Sequence, residues 1–385
     1  MRVIIASRIY SPEPSAASFM LESIAESLSG AGHDVTVLTT KPPVGIAASD
    51  VAGVCVKRAA VLRDKSGYVR GYLPYLSFDL PLFFRLLFTK KADVYLVEPP
   101  PTTGAVMRVA LALLRRPYIY DAADVWSDAA AMATRSRLVL SLLRALEVFA
   151  WRGAGHVTTI SSGVADRMSE LGSATESTIL GFGVDASVFR YLPAQTADRP
   201  YFVYGGTYSE WHGASILLEA FAQFSKRHPG YRLLFVGNGS ERAELERMGN
   251  QLGIDGLEFH DPVDAARLNL LLTGATASLA SLKPAQGYDY AFTTKLYASI
   301  AAGCPVIFTG VGPTADFIAN HQSEHPVGVA VDYEYEAVAQ AMARIAEAPL
   351  SSDRRERLSI WARERFSLSA IADRVTSIAE RLGLR

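Results

Sequence analysis

The first half of the chain alternates short apolar runs with segments of helical periodicity. The runs predict buried strands at residues 2–7, 35–39, 93–97, 118–121 and 157–160. Between them, apolar residues recur every three or four positions, which predicts helices at residues 18–30, 103–114, 137–152 and 163–171. Strands that alternate with helices in this way favour a doubly wound parallel sheet.

The second half repeats this pattern. It predicts strands at residues 201–204, 232–236, 257–259, 277–281 and 306–308, and helices at residues 214–227, 241–252 and 265–272. The sequence therefore predicts an α/β protein with two Rossmann-like doubly wound domains that face each other across a cleft. We place the N-terminal domain at residues 1–182 and the C-terminal domain at residues 183–365. Composition leaves open whether a final helix, residues 366–385, crosses back to the first domain.

Composition excludes several classes of protein. The chain has 385 residues, of which 49% are apolar and 20% charged, as in ordinary globular proteins of two domains. Its net charge of −1 gives no indication of nucleic-acid binding. The first apolar run is too short for a signal peptide, and no run approaches the ~18 apolar residues of a membrane span. Cys55 and Cys304 lack partners at metal-ligand spacing, so we expect two reduced core cysteines in a cytoplasmic protein and no metal site.

The segment at residues 292–307 predicts an anion site. Thr293, Thr294 and Lys295 stand at the expected start of a helix that Pro305 ends. A helix start offers free N–H groups and a positive dipole end, which suit a phosphate. The alternative is an ordinary capped helix with a surface lysine. A cation in the first turn opposes the helix dipole, and a bound anion would remove that conflict, so we favour the phosphate site.

Four segments, in order along most of the chain, resemble motifs of the GT-B glycosyltransferases of family 4. Residues 2–39 resemble the first β-α-β unit of that family, and Gly183-Val-Asp185 with Phe189 resembles its interdomain "GVD…F" signature. Residues 236–242, VGNGSER, resemble "VGDGPER", and residues 295–306, KLYASIAAGCPV, resemble "PSKLYEYLAAGKPV". The resemblance implies sugar transfer from a UDP- or GDP-linked nucleotide-sugar, with no cofactor and no catalytic metal.

The same resemblance suggests further donor-binding residues. Gly206, Thr207 and Gly237 follow predicted strands and match positions near the diphosphate, where glycine lets the backbone approach a ligand closely. His212 stands where a lysine usually neutralises the diphosphate. Val263 follows the strand beside which the family holds the base of the nucleotide. Taken alone, the glycine turns are unspecific motifs, and a lone histidine is more often structural.

Several landmark residues of the retaining family 4 enzymes are replaced in this chain. Tyr290 and Ala298 stand where two glutamates are usual, and Ala123 stands where a histidine is usual. Thr207 and His212 replace an arginine and a lysine. Either activity has been lost, or the scaffold performs a different chemistry.

Residues 120–128, YDAADVWSD, favour a different chemistry. They resemble the "YRASD" segment of the inverting glucuronosyltransferases of xanthan assembly, whose last aspartate is the general base and matches Asp124. A glutamate and a lysine of those enzymes match Glu98 and Lys295. We therefore expect Asp124 to deprotonate the acceptor, with Glu98 orienting the acceptor or Asp124. The alternative is that these acids only cap helices and turns.

Residues 63–91 mix aromatic and cationic side chains. This composition suits an anionic membrane surface or a lipid-linked phosphate acceptor, and the candidate residues are Tyr72, Tyr75, Phe83, Phe84 and Arg85. The alternative, equally consistent with the pattern, is a long helix that packs its aromatic residues on the core.

Together these patterns predict a metal-independent glycosyltransferase of polysaccharide or glycoconjugate biosynthesis. Its partners would be a nucleotide-sugar donor, a saccharide or lipid-linked oligosaccharide acceptor, and the inner face of the cytoplasmic membrane. A retaining family 4 mechanism is the nearest alternative. A sugar-nucleotide epimerase and a non-catalytic nucleotide-sugar-binding subunit are the alternatives from other classes.

Overall fold

The computed structural model describes residues 1–13, 15–43, 51–64, 67, 69, 71–134, 136–193, 198–285 and 289–384. These residues form two compact units. The first contains Met1–Gly183 together with the chain from Leu368 onward, and the second contains Val184–Ser367.

The first unit is built on a parallel sheet of seven strands. The strands are β1 (Arg2–Ala6), β2 (Asp34–Thr40), β3 (Val54–Ala59), β4 (Val94–Val97), β5 (Tyr118–Ala122), β6 (His156–Thr159) and β7 (Ser177–Ile179). Their order in the sheet is β3-β2-β1-β4-β5-β6-β7. The helices are α1 (Ala16–Gly30), α2 (Tyr72–Phe88), α3 (Pro101–Leu114), α4 (Trp126–Ala133), α5 (Arg137–Gly153), α6 (Ser162–Glu170) and, from the end of the chain, α14 (Leu368–Gly383).

The last helix completes the core of this first unit. Buried residues of α14 at helical spacing, including Ile371, Val375 and Ile378, join α1 and the strands in one apolar cluster. Polar contacts also link the two helices, since Ser27 donates a hydrogen bond to Asp373 at 2.7 Å. Helix α14 therefore belongs to the hydrophobic layer that covers one face of the seven-stranded sheet.

The second unit has a parallel sheet of six strands. They are β8 (Tyr201–Gly205), β9 (Arg232–Val236), β10 (Leu257–His260), β11 (Ala277–Ser281), β12 (Val306–Thr309) and β13 (Gly328–Val331), in the order β10-β9-β8-β11-β12-β13. Its helices are a short 3₁₀ helix (Glu210–His212), α7 (Ser215–Ser225), α8 (Arg242–Leu252), α9 (Ala265–Gly274), α10 (Lys295–Ala301), α11 (Pro313–His321), α12 (Tyr335–Glu347) and α13 (Ser352–Phe366).

The predicted fold class, two Rossmann-like α/β domains, is confirmed. The sequence patterns missed β3, β7 and β13, and also α4, α11 and α12. Strands β3 and β7 are edge strands with exposed residues, so they lack the continuous apolar run of a buried strand. The prediction that Cys55 is a core residue is wrong, because it lies exposed on edge strand β3, whereas Cys304 is buried. Across the described residues, no helix has both the length and the hydropathy needed to cross a membrane.

Candidate active site

The strand order reverses once in each sheet. The reversal lies between β1 and β4 in the first unit and between β8 and β11 in the second. In open α/β sheets, ligands bind beyond the carboxyl ends of the strands at such a point. Residues that follow these strands are therefore the candidates for chemistry.

Lys295 is the most unusual residue of the second unit. It is the first residue of α10, and its ammonium nitrogen lies 3.9 Å from the centre of the Tyr204 ring. Nζ is buried and has no hydrogen-bond partner among the described residues. Burial lowers the pKa of Lys295 from 10.5 to about 7. A buried ammonium without an anion beside it is unfavourable, and the lowered pKa reflects that cost.

Two glycines form the tight turns next to Lys295. Gly206 has φ +129°, and a Cβ there would lie 3.4 Å from the Lys295 Nζ. Gly237 has φ +142°, and a Cβ there would lie 2.0 Å from the Gly206 carbonyl oxygen. The Gly206 N–H donates to the carbonyl of Val236, and the Gly237 N–H donates to that of His260. These two amides are therefore occupied by backbone, and the glycines act by giving space.

His212 lies within the electrostatic field of Lys295. Burial, together with the positive charge of Lys295, lowers the pKa of His212 to about 3. Its ring packs on Trp211, with the ring centres 3.9 Å apart, and its Nδ1 has no hydrogen-bond partner within the described chain. The imidazole is therefore neutral at physiological pH. It can therefore offer a hydrogen bond but not a positive charge.

The start of α10 differs from the sequence prediction. The N–H of Thr293 donates to the Thr314 hydroxyl at 2.8 Å, and the N–H groups of Leu296 and Tyr297 donate to the carbonyls of Thr293 and Thr294. The expectation of a row of free N–H groups at this helix start is therefore wrong for these three amides. Thr293 is buried, whereas Thr294 and Thr207 are exposed.

Val263 lies apart from the other predicted donor-binding residues. It lines a cavity of about 680 Å³ together with His260, Arg267 and parts of β9 and α9. None of the other predicted donor-binding residues lines this cavity.

The switch point of the first unit contains a buried acid. Glu98 follows β4 and accepts a hydrogen bond from the Ser7 hydroxyl, 3.0 Å away, where Ser7 follows β1. Burial raises the pKa of Glu98 to about 7, although Arg8 and Ser7 partly oppose the shift. Burial likewise raises the pKa of Asp121 to about 6, against a hydrogen bond donated by Thr158. Both carboxyl groups can hold or release a proton near neutral pH.

The three aspartates of residues 120–128 have different surroundings. Asp124 is exposed in the bend between β5 and α4. Asp128 accepts hydrogen bonds from Arg167 and forms an ion pair with Arg144, which gives it the structural role that the alternative interpretation allowed. Asp124 is the most exposed of the three.

Sequence patterns did not reveal the buried arginines near this site. Arg8 is buried, its guanidinium carbon lies 4.9 Å from the Tyr75 ring centre and 5.6 Å from that of Trp126, and it donates to the carbonyl of Val69. Arg63 forms a buried ion pair with Glu13 at 3.2 Å. The one sequence feature that could have indicated these arginines was the charged Arg8 itself, just after the first strand.

The predicted acceptor or membrane residues on α2 do not share one surface. Tyr75 turns towards Arg8 and Trp126, and the half-buried Arg85 donates to the Lys57 carbonyl. Phe84 is exposed and Phe83 half-buried, with their ring centres 5.4 Å apart. The side chain of Tyr72 lies outside the described part of the structure. In the described chain, no group of three or more histidine, cysteine or acidic side chains has the geometry to hold a metal ion.

Comparison with known proteins gives a consistent result for the two units. Residues 16–181 match the family model of the glycosyl transferase 4-like domain, and residues 193–365 match that of the glycosyl transferases group 1. Over 110 residues the chain is 32% identical to the lipopolysaccharide core biosynthesis glycosyltransferase LpsE of Rhizobium meliloti (strain 1021). That match covers 28% of this chain and 31% of the relative.

Two solved structures share the whole fold. Sucrose-phosphate synthase from Thermosynechococcus elongatus has a TM-score of 0.71 at 19% identity, covering 99% of this chain and 98% of the other. The Anabaena protein HepE, solved in complex with UDP and glucose, has a TM-score of 0.68 at 17% identity, covering 99% of both chains. At these identities the likeness establishes the fold.

Proposed function

Because the chain belongs to the GT-B glycosyltransferases with a 4-like and a group 1 domain, we propose that it moves a sugar from a UDP- or GDP-linked donor to a saccharide or lipid-linked oligosaccharide. In this proposal the reaction occurs in the cytoplasm, at the inner face of the membrane, and inverts the anomeric centre. The product belongs to a polysaccharide or glycoconjugate.

The observation that supports a donor site in the group 1 domain is the buried Lys295. Charge develops on the departing nucleoside diphosphate, and a fixed cation in a low-dielectric site stabilises that charge strongly. Lys295 Nζ has no competing partner in the described chain, and Gly206 leaves the space beside it open. Neutral His212 would add a hydrogen bond, and Thr293, Thr294, Thr207 and Gly237 complete the proposed donor-binding set, whereas Val263, in the separate cavity, is left out of it.

Asp124 is the proposed general base in the 4-like domain. An attacking hydroxyl must lose its proton as it reacts, and a positioned carboxylate contributes ~10²–10⁴-fold to such a step. Asp124 is exposed, as an approaching acceptor requires, whereas Asp121 is only half-exposed. Glu98, held by Ser7 at the switch point, is proposed to orient the acceptor or to position Asp124.

Substitution of Asp124 tests this assignment. We expect Asp124→Asn and Asp124→Ala to abolish transfer from a panel of UDP- and GDP-sugars, while thermal-shift titration with UDP and GDP gives wild-type affinity. Asp166→Asn is the matched control, because it removes an exposed aspartate of the same domain. Normal turnover by Asp124→Ala would exclude Asp124 as the base.

Product stereochemistry, measured by NMR of the anomeric proton, tests the mechanism itself. A product that keeps the anomeric configuration of the donor would show a retaining mechanism in place of the inverting one. Tight nucleotide binding without turnover on any acceptor would instead support a non-catalytic subunit.

A further inference from the structure

Three neighbouring helices, α2, α3 and α5, form the outer layer on one face of the first unit's sheet. Helix α2 packs against α3, and α3 packs against α5. Their inner sides are buried, as shown by Phe78 and Leu82 on α2, Met107 on α3 and Trp151 on α5. We call the outward side of these three helices the α2-α3-α5 face.

The outward side of each helix is apolar. Exposed apolar residues recur at helical spacing and are Leu73, Leu76, Leu80, Phe84 and Phe88 on α2, Val109 and Leu113 on α3, and Leu138, Leu142 and Phe149 on α5. These ten are half of the twenty strongly exposed large apolar side chains among the described residues. An apolar surface of this extent on three adjacent elements marks an interaction site.

The three helices themselves expose cations but no acids, although Arg144 pairs with Asp128 and Arg116, just after α3, pairs with Asp93. The only acids on the three helices are Asp79 and Glu147, which are 2% and 1% exposed. The cations on these helices are Arg85, Arg108, Arg137, Arg144 and Arg152, and Lys90, Lys91, Arg115 and Arg116 directly follow α2 and α3. The whole chain has a net charge of −1, so this positive charge is local to the face.

We propose that the α2-α3-α5 face binds the surface of an anionic lipid bilayer. The inference names the partner surface for the proposed function, on which it rests, since a lipid-linked acceptor lies at such a surface. Apolar side chains that enter the acyl boundary, with arginines and lysines beside the headgroups, are the physical requirements for interfacial binding. A symmetric contact with a second copy would instead place cations against cations, which is unfavourable.

Vesicle flotation of the full-length protein tests the proposal. We expect binding to vesicles of phosphatidylcholine mixed with phosphatidylglycerol, weak binding to phosphatidylcholine alone, and release as salt rises from about 0.1 M to about 1 M. Binding to both vesicle types alike, or to neither, would overturn the proposal.

Two double variants test whether the surface extends over separate helices. Leu76→Glu with Leu80→Glu on α2, and Leu138→Glu with Leu142→Glu on α5, should each lower partitioning at least ~10-fold. Leu252→Glu with Ile360→Glu in the second unit is the matched control, with the same added charge at exposed apolar sites. Wild-type binding by the α5 variant would refute a three-helix surface.

The cations are tested separately. Lys90→Gln with Arg115→Gln should lower partitioning about fivefold per residue, whereas Arg354→Gln with Arg357→Gln on α13 should have no effect. Circular dichroism melting confirms that each variant is folded. If light scattering shows a dimer that only the leucine variants dissociate, and their vesicle binding is unchanged, the face is an interface between copies and the proposal fails.

The test of the membrane surface and the test of the proposed function can fail independently of each other. Vesicle flotation needs no donor, and UDP binding by the group 1 domain needs no lipid. Loss of vesicle binding with wild-type UDP affinity refutes only the membrane surface, and the reverse result refutes only the donor site.

Discussion

Replacement of Lys295 by methionine should stabilise the free protein and remove its response to nucleotides. Burial lowers the pKa of Lys295 from 10.5 to about 7. One pKa unit corresponds to about 1.4 kcal/mol, so at neutral pH the buried ammonium lowers the free energy of unfolding by roughly 4 kcal/mol. Methionine has a similar length and keeps the packing on the Tyr204 ring without the charge.

Thermal unfolding at pH 7, with and without UDP or GDP, measures both effects. For a unit of this size about 1 kcal/mol corresponds to ~2–4 °C, so the free Lys295→Met variant should melt roughly 10 °C above wild type. Nucleotide should raise the melting temperature of wild type by the usual logarithmic dependence on concentration over affinity, and should leave the variant unchanged.

Lys226→Met is the control for this experiment. Lys226 is exposed at the end of α7, and such surface substitutions change stability by about 0.5 kcal/mol or less. A Lys295→Met variant that melts below wild type, or that keeps the full nucleotide-dependent shift, would refute the reasoning.

Three further predictions follow from the same two sites. Affinity for a nucleotide-sugar should fall about tenfold for each pH unit above 7, because binding then requires Lys295 to take up a proton, and isothermal titration of the wild type between about pH 7 and pH 9 measures that fall. Gly237→Ala should destabilise the protein by more than ~2 kcal/mol in urea unfolding, because its φ of +142° and the Gly206 carbonyl exclude a Cβ, whereas Gly230→Ala, which meets no atom within 4 Å, should be neutral. Glu98→Gln should stabilise the protein at pH 8 and lose most of that advantage at pH 5: burial raises the folded-state pKa of Glu98 from 4.5 to about 7, so the wild type loses stability as the pH rises between these two values and the unfolded chain releases the proton first.

The sequence predicted the central strands well because β1, β4, β9, β11 and β12 are short apolar runs with buried side chains pointing to both faces of their sheets. Strand β7 has only three residues with exposed side chains, so it left no comparable pattern. Helix α12 has a strong amphipathic pattern in the sequence, and a closer count of its apolar positions would have found it.

The site residues were predictable only where a motif marked them. Lys295 was identified from its motif, but its burial depends on Tyr204, which lies far away in sequence, on another element. The occupied amide of Thr293 depends on Thr314 in the same way. The buried Arg8 lies against Tyr75 and Trp126, the buried Asp79 accepts a hydrogen bond from Thr103, and the buried Glu147 accepts one from the N–H of Trp126, and no local pattern encodes these distant contacts.

Because α14 lies in the core of the first unit, that unit cannot complete its folding until α14 has been synthesised. The helix fills part of the first unit's core, against α1, although the whole second unit, Val184–Ser367, separates it from the strands it covers. During synthesis the seven strands emerge long before residues 371–382 can shield Ile24 and Leu28. The N-terminal half must therefore wait, incompletely covered and dependent on protection from aggregation, until the ribosome has synthesised the second unit and α14.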